Sequence, residues 1–375
     1  MLTKLVSNLT CLAMALAVSP FSYAQATIKI AVAGPMTGDY AIWGDQTYRG
    51  VEMAMQDLNA KGGVLGRKFE FVKFDDKADS IEAANVAQRI VGDKDLVAVI
   101  GHVFSSCTLA AGPIYSRGKI TEIAVASSSK KVLPSGNYVF RINLGDEKAG
   151  VDMANYTVQK VKAKKIAVIM DQSDYCEGLV SAFQAEAESK GGSIVTKQRF
   201  VGGQDRDFNV ILTSVKALNP DLILLAAFSP DAALIAQQAR NLGVKTPLEV
   251  PDAACNADFL KLAGVSAEGV LGFNYFDTTS SDPRIQNLAK RYKANYNEEL
   301  ETFTPYAYDA MLAIADAIKV AGKADRASIY AALPKVNIKN GLTGQISFQN
   351  REREVSYSAV HKVKNGQWES LGLTQ

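Results

Sequence analysis

Two stretches of this chain run in parallel: KIAVAGPMTGDYAIWGDQTYRGVEMAMQDLNAKGG, Lys29–Gly63, and KIAVIMDQSDYCEGLVSAFQAEAESKGG, Lys165–Gly192. Each opens on a short apolar run, crosses a polar loop rich in Gly or Asp, continues as an amphipathic segment and closes on Lys-Gly-Gly. The runs IKIAVAG (Ile28–Gly34) and KKIAVIM (Lys164–Met170) read as strands. Val51, Met55 and Leu58 recur at i, i+4 and i+7, the spacing that puts side chains on one face of a helix. Glycine behind a basic last turn is the usual way to stop such a helix. A second strand follows in each copy, KFEFVKFDD (Lys68–Asp76) with strict alternation and GSIVTKQRF (Gly192–Phe200).

The rhythm continues in both halves. DLVAVIGH (Asp95–His102), a helix after Ser105-Ser106 and ITEIAVAS (Ile120–Ser127) extend the first; DLILLAAF (Asp221–Phe228), a helix with Ile235, Ala239 and Leu242 on one face and TPLEVPD (Thr246–Asp252) extend the second. Near-continuous apolar strands alternating with helices build parallel sheets covered on both faces. The predicted fold class is therefore α/β, with two doubly wound Rossmann-like lobes. Ligands of such sheets bind beyond the carboxyl ends of the strands, so two facing lobes enclose a cleft. LGFNYFD (Leu271–Asp277), a helix over Thr304–Gly322 and a β-rich tail complete the chain. Neither lobe is contiguous in sequence. The expected division is 25–142 with 274–340 for the N-terminal lobe and 143–273 with 341–375 for the C-terminal lobe. Three hinge crossings are expected near Arg141–Asp146, Val270–Asn274 and Gly341–Gln345.

The 375 residues, 47% of them hydrophobic and 21% charged, are enough for two cores. A net charge of +2 and the lack of a basic run with interleaved aromatics give no support to nucleic-acid binding. His102 and His361 lie far apart, and no Cys/His/Asp cluster has metal-ligand spacing, so neither a metal nor a cofactor is expected. The N-terminus carries Lys4, an apolar run from Leu9 to Val18 and the small-x-small sequence Ser22-Tyr23-Ala24. That pattern reads as a signal peptide over residues 1–24, removed on export to the periplasm, and Cys11 stands near the start of the apolar run where a lipid-anchor cysteine would follow it. Cys107, Cys176 and Cys255 remain, too few and too scattered for a disulfide framework.

The sequence resembles the periplasmic amino-acid binding proteins of the leucine/isoleucine/valine type over essentially all of the mature chain. The resemblance is carried by AVAGPMTGDYAIWGDQ, GVEMAMQDLNAKGGVLGRKFEFVKFDD, VIGHVFSSCTLAAGPIY, IAVIMDQSDYCEGL, GGQDRDF and TPYAYDAM in that order. It implies a type I periplasmic binding protein, a venus flytrap whose lobes are joined by a three-crossing hinge. Such a protein closes on one free amino acid and docks on the membrane permease and ATPase of an ABC importer. A monomer is expected.

The resemblance also implies a ligand site. Trp43 falls at the first-lobe loop tip, where tyrosine is usual, and Phe104 adds bulk beside the carboxylate site. Ser105 and Ser106 open a helix whose N–H groups and hydroxyls suit a ligand carboxylate. Ala126 supplies a carbonyl for the ammonium; Ser127 and Ser128 share the role of hydroxyl donor to the carboxylate. Tyr175, Phe228 and Phe303 wall the cleft, and Asp252 stands where the family's acid, usually Glu, pairs with the ammonium. Ala78 and Phe104 occupy the positions of a disulfide common in branched-chain receptors. Without the family pattern the same residues have plainer readings: Ser105-Ser106 as a helix cap, Phe228 as core, Asp252 as a turn residue and His102 as structural.

Other functions find less in the sequence. No G-x-S-x-G elbow and no G-x-G-x-x-G after the first strand are present, so an enzyme is not expected. The alternatives are a same-fold receptor for short amides, urea or aromatic acids, of which an amide or aromatic-acid receptor would not need Asp252 to hold an ammonium, and a sensor of the same fold outside transport.

Overall fold

The computed structural model describes residues 27–278, 280–353 and 358–374; the leader-like segment and Cys11 lie outside them. The first lobe opens with β1 (Ile28–Gly34), α1 (Ala41–Ala60), β2 (Phe69–Asp75), α2 (Ser80–Gly92), β3 (Leu96–Ile100), α3 (Ser105–Gly118), β4 (Thr121–Ala124), α4 (Val132–Ser135) and β5 (Val139–Arg141). The second opens with α5 (Asp146–Gln159), then β6 (Lys165–Asp171), α6 (Asp174–Ser189), β7 (Ser193–Phe200), α7 (Asn209–Ala217), β8 (Leu222–Ala226), α8 (Ser229–Asn241), β9 (Leu248–Val250), α9 (Ala257–Ala263) and β10 (Leu271–Asn274). The chain ends with α10 (Pro283–Tyr296), α11 (Phe303–Ala321), α12 (Arg326–Ala332), β11 (Asn337–Gly341), β12 (Gly344–Gln349), β13 (Glu352–Arg353), β14 (Ala359–Lys364) and β15 (Gln367–Leu373).

The internal repeat is visible in the sheets. The first contains the order β5-β4-β3-β1-β2 and the second β10-β9-β8-β6-β7, all parallel neighbours. In both, the strand after the first helix lies at the edge, and the chain then returns past the first strand. The reversal leaves a crevice at the carboxyl ends of the central strands. β1, β3, β6 and β8 are buried almost throughout, as strands covered on both faces must be.

Helices returning late in the sequence complete the first lobe. On α1, Val51 and Met55 are buried and Leu58 half-buried, so the i, i+4, i+7 face is the one that packs. α11 lies closely against it: a Cβ at Gly50 would come within 2.3 Å of Thr304 O. α10 is tied to the same helix by Arg291 and Asp57 at 2.7 Å and by the Tyr296 hydroxyl donating to Glu52 at 2.6 Å.

The crossings differ from expectation at two points. Residues 271–274 form β10 within the second sheet, so the second crossing follows that strand instead of coinciding with it. Residues 341–345 are not a crossing: Gly341 to Gly344 is the turn of the β11–β12 hairpin, which belongs to the first sheet together with β13. The carboxylate of Asp309 on α11 accepts from Leu342 N, Thr343 N and the Thr343 hydroxyl, anchoring the turn to the first lobe. The passage to the second sheet therefore lies between Arg353 and Ala359, and the expected assignment of residues 341–353 to the C-terminal lobe is corrected.

Candidate functional site

The carboxyl ends of the strands deliver the site residues. In the first lobe β1 runs into α1, which carries Trp43 in its first turn, and β3 runs through Val103 and Phe104 into Ser105, the first residue of α3. In the second, β8 runs through Phe228 into Ser229, the first residue of α8. Phe104 and Phe228 thus hold equivalent places in the repeat, each just ahead of a helix, with extended backbone. They meet across the cleft with ring centroids 4.6 Å apart. Trp43 lies 5.5 Å from Phe228 edge-on, and Tyr175, from the first turn of α6, lies 5.5 Å from it as well. These rings line one cavity between the lobes.

Of the residues singled out in the sequence, Trp43, Phe104, Ser105, Ala126 and Phe303 line this cavity from the first lobe, and Tyr175, Phe228 and Asp252 from the second. Ser106 stands one residue into α3, outside the lining. Ser127 turns away: its fully buried hydroxyl sits 3.0 Å from His102 O, 3.1 Å from Val103 O and 2.7 Å from Thr108 Oγ1. Ser128 is also fully buried, but its hydroxyl has no hydrogen-bond partner among the described residues. Tyr40, Val103, Ala253 and Tyr275 had no signal in the sequence. Tyr40, three residues ahead of Trp43, packs with its ring centroid 5.2–5.8 Å from those of Phe104, Trp43 and Phe228 in tilted or edge-on contacts, and Val103 and Ala253 complete the lining.

The polar groups sit at two poles. At one, the Ser105 hydroxyl accepts from Ser129 N at 3.2 Å, which leaves its own proton to donate. It stands beside the first-turn N–H groups of α3, which a helix leaves without internal partners. Neutral donors and a helix N-terminus suit an anion. At the other, Asp252 is almost fully buried and accepts from the Tyr175 hydroxyl at 2.6 Å. Burial pushes its carboxyl up to about 6 against the hydroxyls of Tyr175 and Tyr275. No ion pair neutralises it among the described residues. The Ala126 carbonyl accepts from Asn143 Nδ2 at 3.0 Å and keeps its second lone pair. A carboxylate acceptor and a donor-rich helix start lining one cavity suit the two charged ends of a zwitterion.

A buried polar layer fixes the first pole. His102 N donates to Glu122 Oε1 at 2.7 Å, while its ring nitrogens lie 2.6 Å from Asp76 Oδ2 and 3.0 Å from the Tyr115 hydroxyl. Burial disfavours the charged ring, but the Asp76 carboxylate prevails and holds the His102 pKa above its ordinary value. This histidine is completely buried and braces the Val103–Ser105 turn through its main chain. Arg141 braces the neighbouring loop, donating to the carbonyls of Ser128 and Ser129 while paired with Glu352. Among the described residues no group of three His, Cys, Asp or Glu could hold a metal ion, and Cys107, Cys176 and Cys255 are buried free thiols.

This combination of two repeated lobes, a cleft at the strand ends and opposed polar poles has a counterpart among known proteins. The sequence model of the periplasmic binding protein family matches residues 27–368. The chain belongs to the periplasmic binding protein family. This binding protein is 37% identical over 259 residues to the Leu/Ile/Val-binding protein of Citrobacter freundii, covering 69% of this chain and 70% of that one. It is 30% identical over 341 residues to the leucine-, isoleucine-, valine-, threonine- and alanine-binding protein of Pseudomonas aeruginosa, 90% of each chain. Among solved structures, the branched-chain amino-acid transporter substrate-binding protein of Streptococcus pneumoniae in complex with isoleucine superposes with a TM-score of 0.86. Its identity is 29%, over 92% of this chain and 99% of that one.

Proposed function

We propose that this binding protein captures a free α-amino acid with an aliphatic, most simply branched, side chain and delivers it to the permease and ATPase of an ABC importer. Export with removal of residues 1–24, as the leader-like sequence suggests, would place it in the periplasm. In this reading the ligand carboxylate lies at Ser105 and the start of α3, the ammonium at Asp252 and the Ala126 carbonyl, and the side chain among the rings of Trp43, Phe104, Phe228 and Phe303. The observation that carries it is Asp252: a buried acceptor with a hydroxyl partner but no ion pair among the described residues, lining the same cavity as Ser105 at the start of α3. The names of the relatives point to the same ligand class.

Asp252→Asn keeps the shape and removes the charge. Truncating one side of a buried charged pair costs about 2–5 kcal/mol, or about thirty-fold to several-thousand-fold in affinity at roughly 1.4 kcal/mol per decade. Ser105→Ala, which removes one neutral donor among several, should cost about 1 kcal/mol. A thermal-shift screen of the mature protein against the amino acids, short amides and aromatic acids identifies the ligand, since a saturating ligand stabilises by mass action. Calorimetry on Asp252→Asn then decides. Affinity within about threefold of the parent would reject the ammonium role and favour an amide or aromatic-acid receptor.

A further inference from the structure

The aromatic wall of the cavity is a closed cluster of rings. Every pair among Tyr40, Trp43, Phe104 and Phe228 has its ring centroids between 4.6 and 5.9 Å apart. Rings in direct contact lie about 4.5–7 Å apart, so nothing as thick as a methylene chain passes between any two of them. A ligand side chain can lie against this cluster but cannot enter it. Tyr175 joins the cluster to Asp252: its ring lies 5.5 Å from Phe228, and its hydroxyl donates to the carboxylate.

Phe104 is the member placed to decide how much room is left. It lines the cavity next to Ser105, is 7% exposed, and makes the shortest of these ring contacts, with Phe228 of the other lobe. Its main chain is held as the N-cap of α3, where its carbonyl accepts from Thr108 N at 3.0 Å. Phe228 is held in the same way at the start of α8, accepting from Ala232 N at 2.9 Å. Trp43 has no room to retreat with its backbone. A Cβ at Gly44 would come within 1.8 Å of Pro35 O, so the start of α1 already presses on the loop ahead of it. The remaining apolar lining is Val103, Ala253 and Phe303, with Ala126 beside its carbonyl.

We propose that Phe104 limits the length of the ligand's side chain, so that the site takes α-amino acids up to the size of valine ahead of leucine and methionine. The proposal rests on the amino-acid reading and narrows it. A zwitterion held at Ser105, beside Phe104 in the chain, and at Asp252, joined to Phe228 through Tyr175, sets its side chain against the ring cluster. A short side chain packs on the Phe104 and Phe228 rings and leaves their contact intact. A longer one must part them, and closure then loses the contact that holds the two lobes together.

The test is calorimetry with L-alanine, L-valine, L-leucine and L-methionine on the parent, Phe104→Ala and Phe104→Leu, read as ratios of affinity within each protein. One methylene in an apolar pocket is worth roughly 10- to 200-fold. The parent should therefore bind the tighter of L-alanine and L-valine about tenfold or more ahead of L-leucine, with L-methionine weaker still. Phe104→Ala should move the ratio by about tenfold or more towards L-leucine, and Phe104→Leu by less. A merely structural role for the ring would lower every affinity alike and leave the ratio where it is. A parent that binds L-leucine as tightly as L-valine and L-alanine overturns the proposal, and so does a ratio within about threefold of the parent's in both variants. Should Phe104→Ala show no ligand-free thermal transition, Phe104→Leu decides, and the parent's own order of affinities is a test in either case. If no amino acid binds the parent, the amino-acid reading fails and this inference with it; a parent that binds amino acids without regard to length sinks the inference alone.

Discussion

At the scale of single residues, the pole around Asp252 makes binding and stability respond to pH in opposite directions. Burial pushes its carboxyl up to about 6, against the hydroxyls of Tyr175 and Tyr275, which favour the ionised form. An ammonium requires the ionised form, so amino-acid affinity should fall as pH drops below about 6, by at most roughly tenfold per unit for a single ionisation. The ligand-free protein behaves conversely. An acid whose pKa is raised on folding contributes stability that is fully present below its unfolded value and lost as pH rises through the folded one. Glu122, pushed up to about 7, and Glu249, up to about 8, titrate in the same range, so the parent's curve alone does not isolate Asp252. The expected result is that the difference in melting temperature between Asp252→Asn and parent changes between about pH 4 and about pH 7, with the variant relatively more stable at the higher pH. A constant difference would mean that Asp252 is not the titrating group. Trp43, Phe228 and Asp252 line the cavity, but only the family resemblance singled them out; local sequence alone reads Phe228 as core and Asp252 as a turn residue. Ser127 and Ser128 were not separable by sequence position, and neither lines the cavity; the Ser127 hydroxyl is bound to the His102 and Val103 carbonyls. Tyr40 and Tyr275 are brought in by the approach of distant segments, which leaves no local pattern to read.

Among the elements, the β11–β12 hairpin shows how one buried side chain decides where a segment belongs. Asp309, fully buried on α11, accepts three hydrogen bonds from residues 342 and 343. Asp309→Ala leaves two backbone N–H groups without their acceptor, and at roughly 1–3 kcal/mol for each unsatisfied buried group the loss should be about 2–6 kcal/mol in urea unfolding. Ligand affinity should hardly change, because the turn is remote from the cavity lining. Unchanged stability would mean that the turn is held by other bonds, Arg353 to Thr343 foremost. The central strands of both lobes were legible to within a few residues, because apolar runs between polar loops allow little else. The hairpin was not. Gly341-Leu342-Thr343-Gly344 reads equally as linker or turn, and the deciding carboxylate lies 33 residues earlier. The β10 crossing was misplaced for a related reason: a strand followed by a loop does not announce in which of two similar sheets it pairs.

For the whole molecule, the question is what holds the lobes together. Charged contacts rim the cleft: Lys131 with Asp174 at 2.7 Å, Arg206 with Asp39 at 3.6 Å, and the Tyr40 hydroxyl 3.5 Å from Asp231. Lys131 is 60% exposed and Arg206 51%, so these pairs are screened and contribute roughly 0–1 kcal/mol each. The rings of Phe104, Trp43 and Tyr40, all within 5.8 Å of Phe228, form the drier contact. Aromatic pairs of this kind are worth about 0.5–1.5 kcal/mol each beyond area burial, so three of them amount to roughly 1.5–4.5 kcal/mol that exists only when the lobes meet. Carrying a population from open to closed takes a ligand that prefers the closed state by about 5 kcal/mol, and the Phe228 contacts, which favour closure with or without ligand, lower the preference the ligand must supply. Small-angle scattering should therefore show a smaller radius of gyration with saturating amino acid than without. Phe228→Ala should weaken binding by about tenfold to a thousandfold and, at a ligand concentration that saturates the parent, give a radius between the two. Lys131→Ala should leave both readings nearly unchanged at moderate salt. Equal radii for the parent with and without ligand would mean that the cleft does not open, and the capture mechanism would fail with it; a Phe228→Ala protein that binds and contracts like the parent would mean that the ring contacts follow closure without driving it.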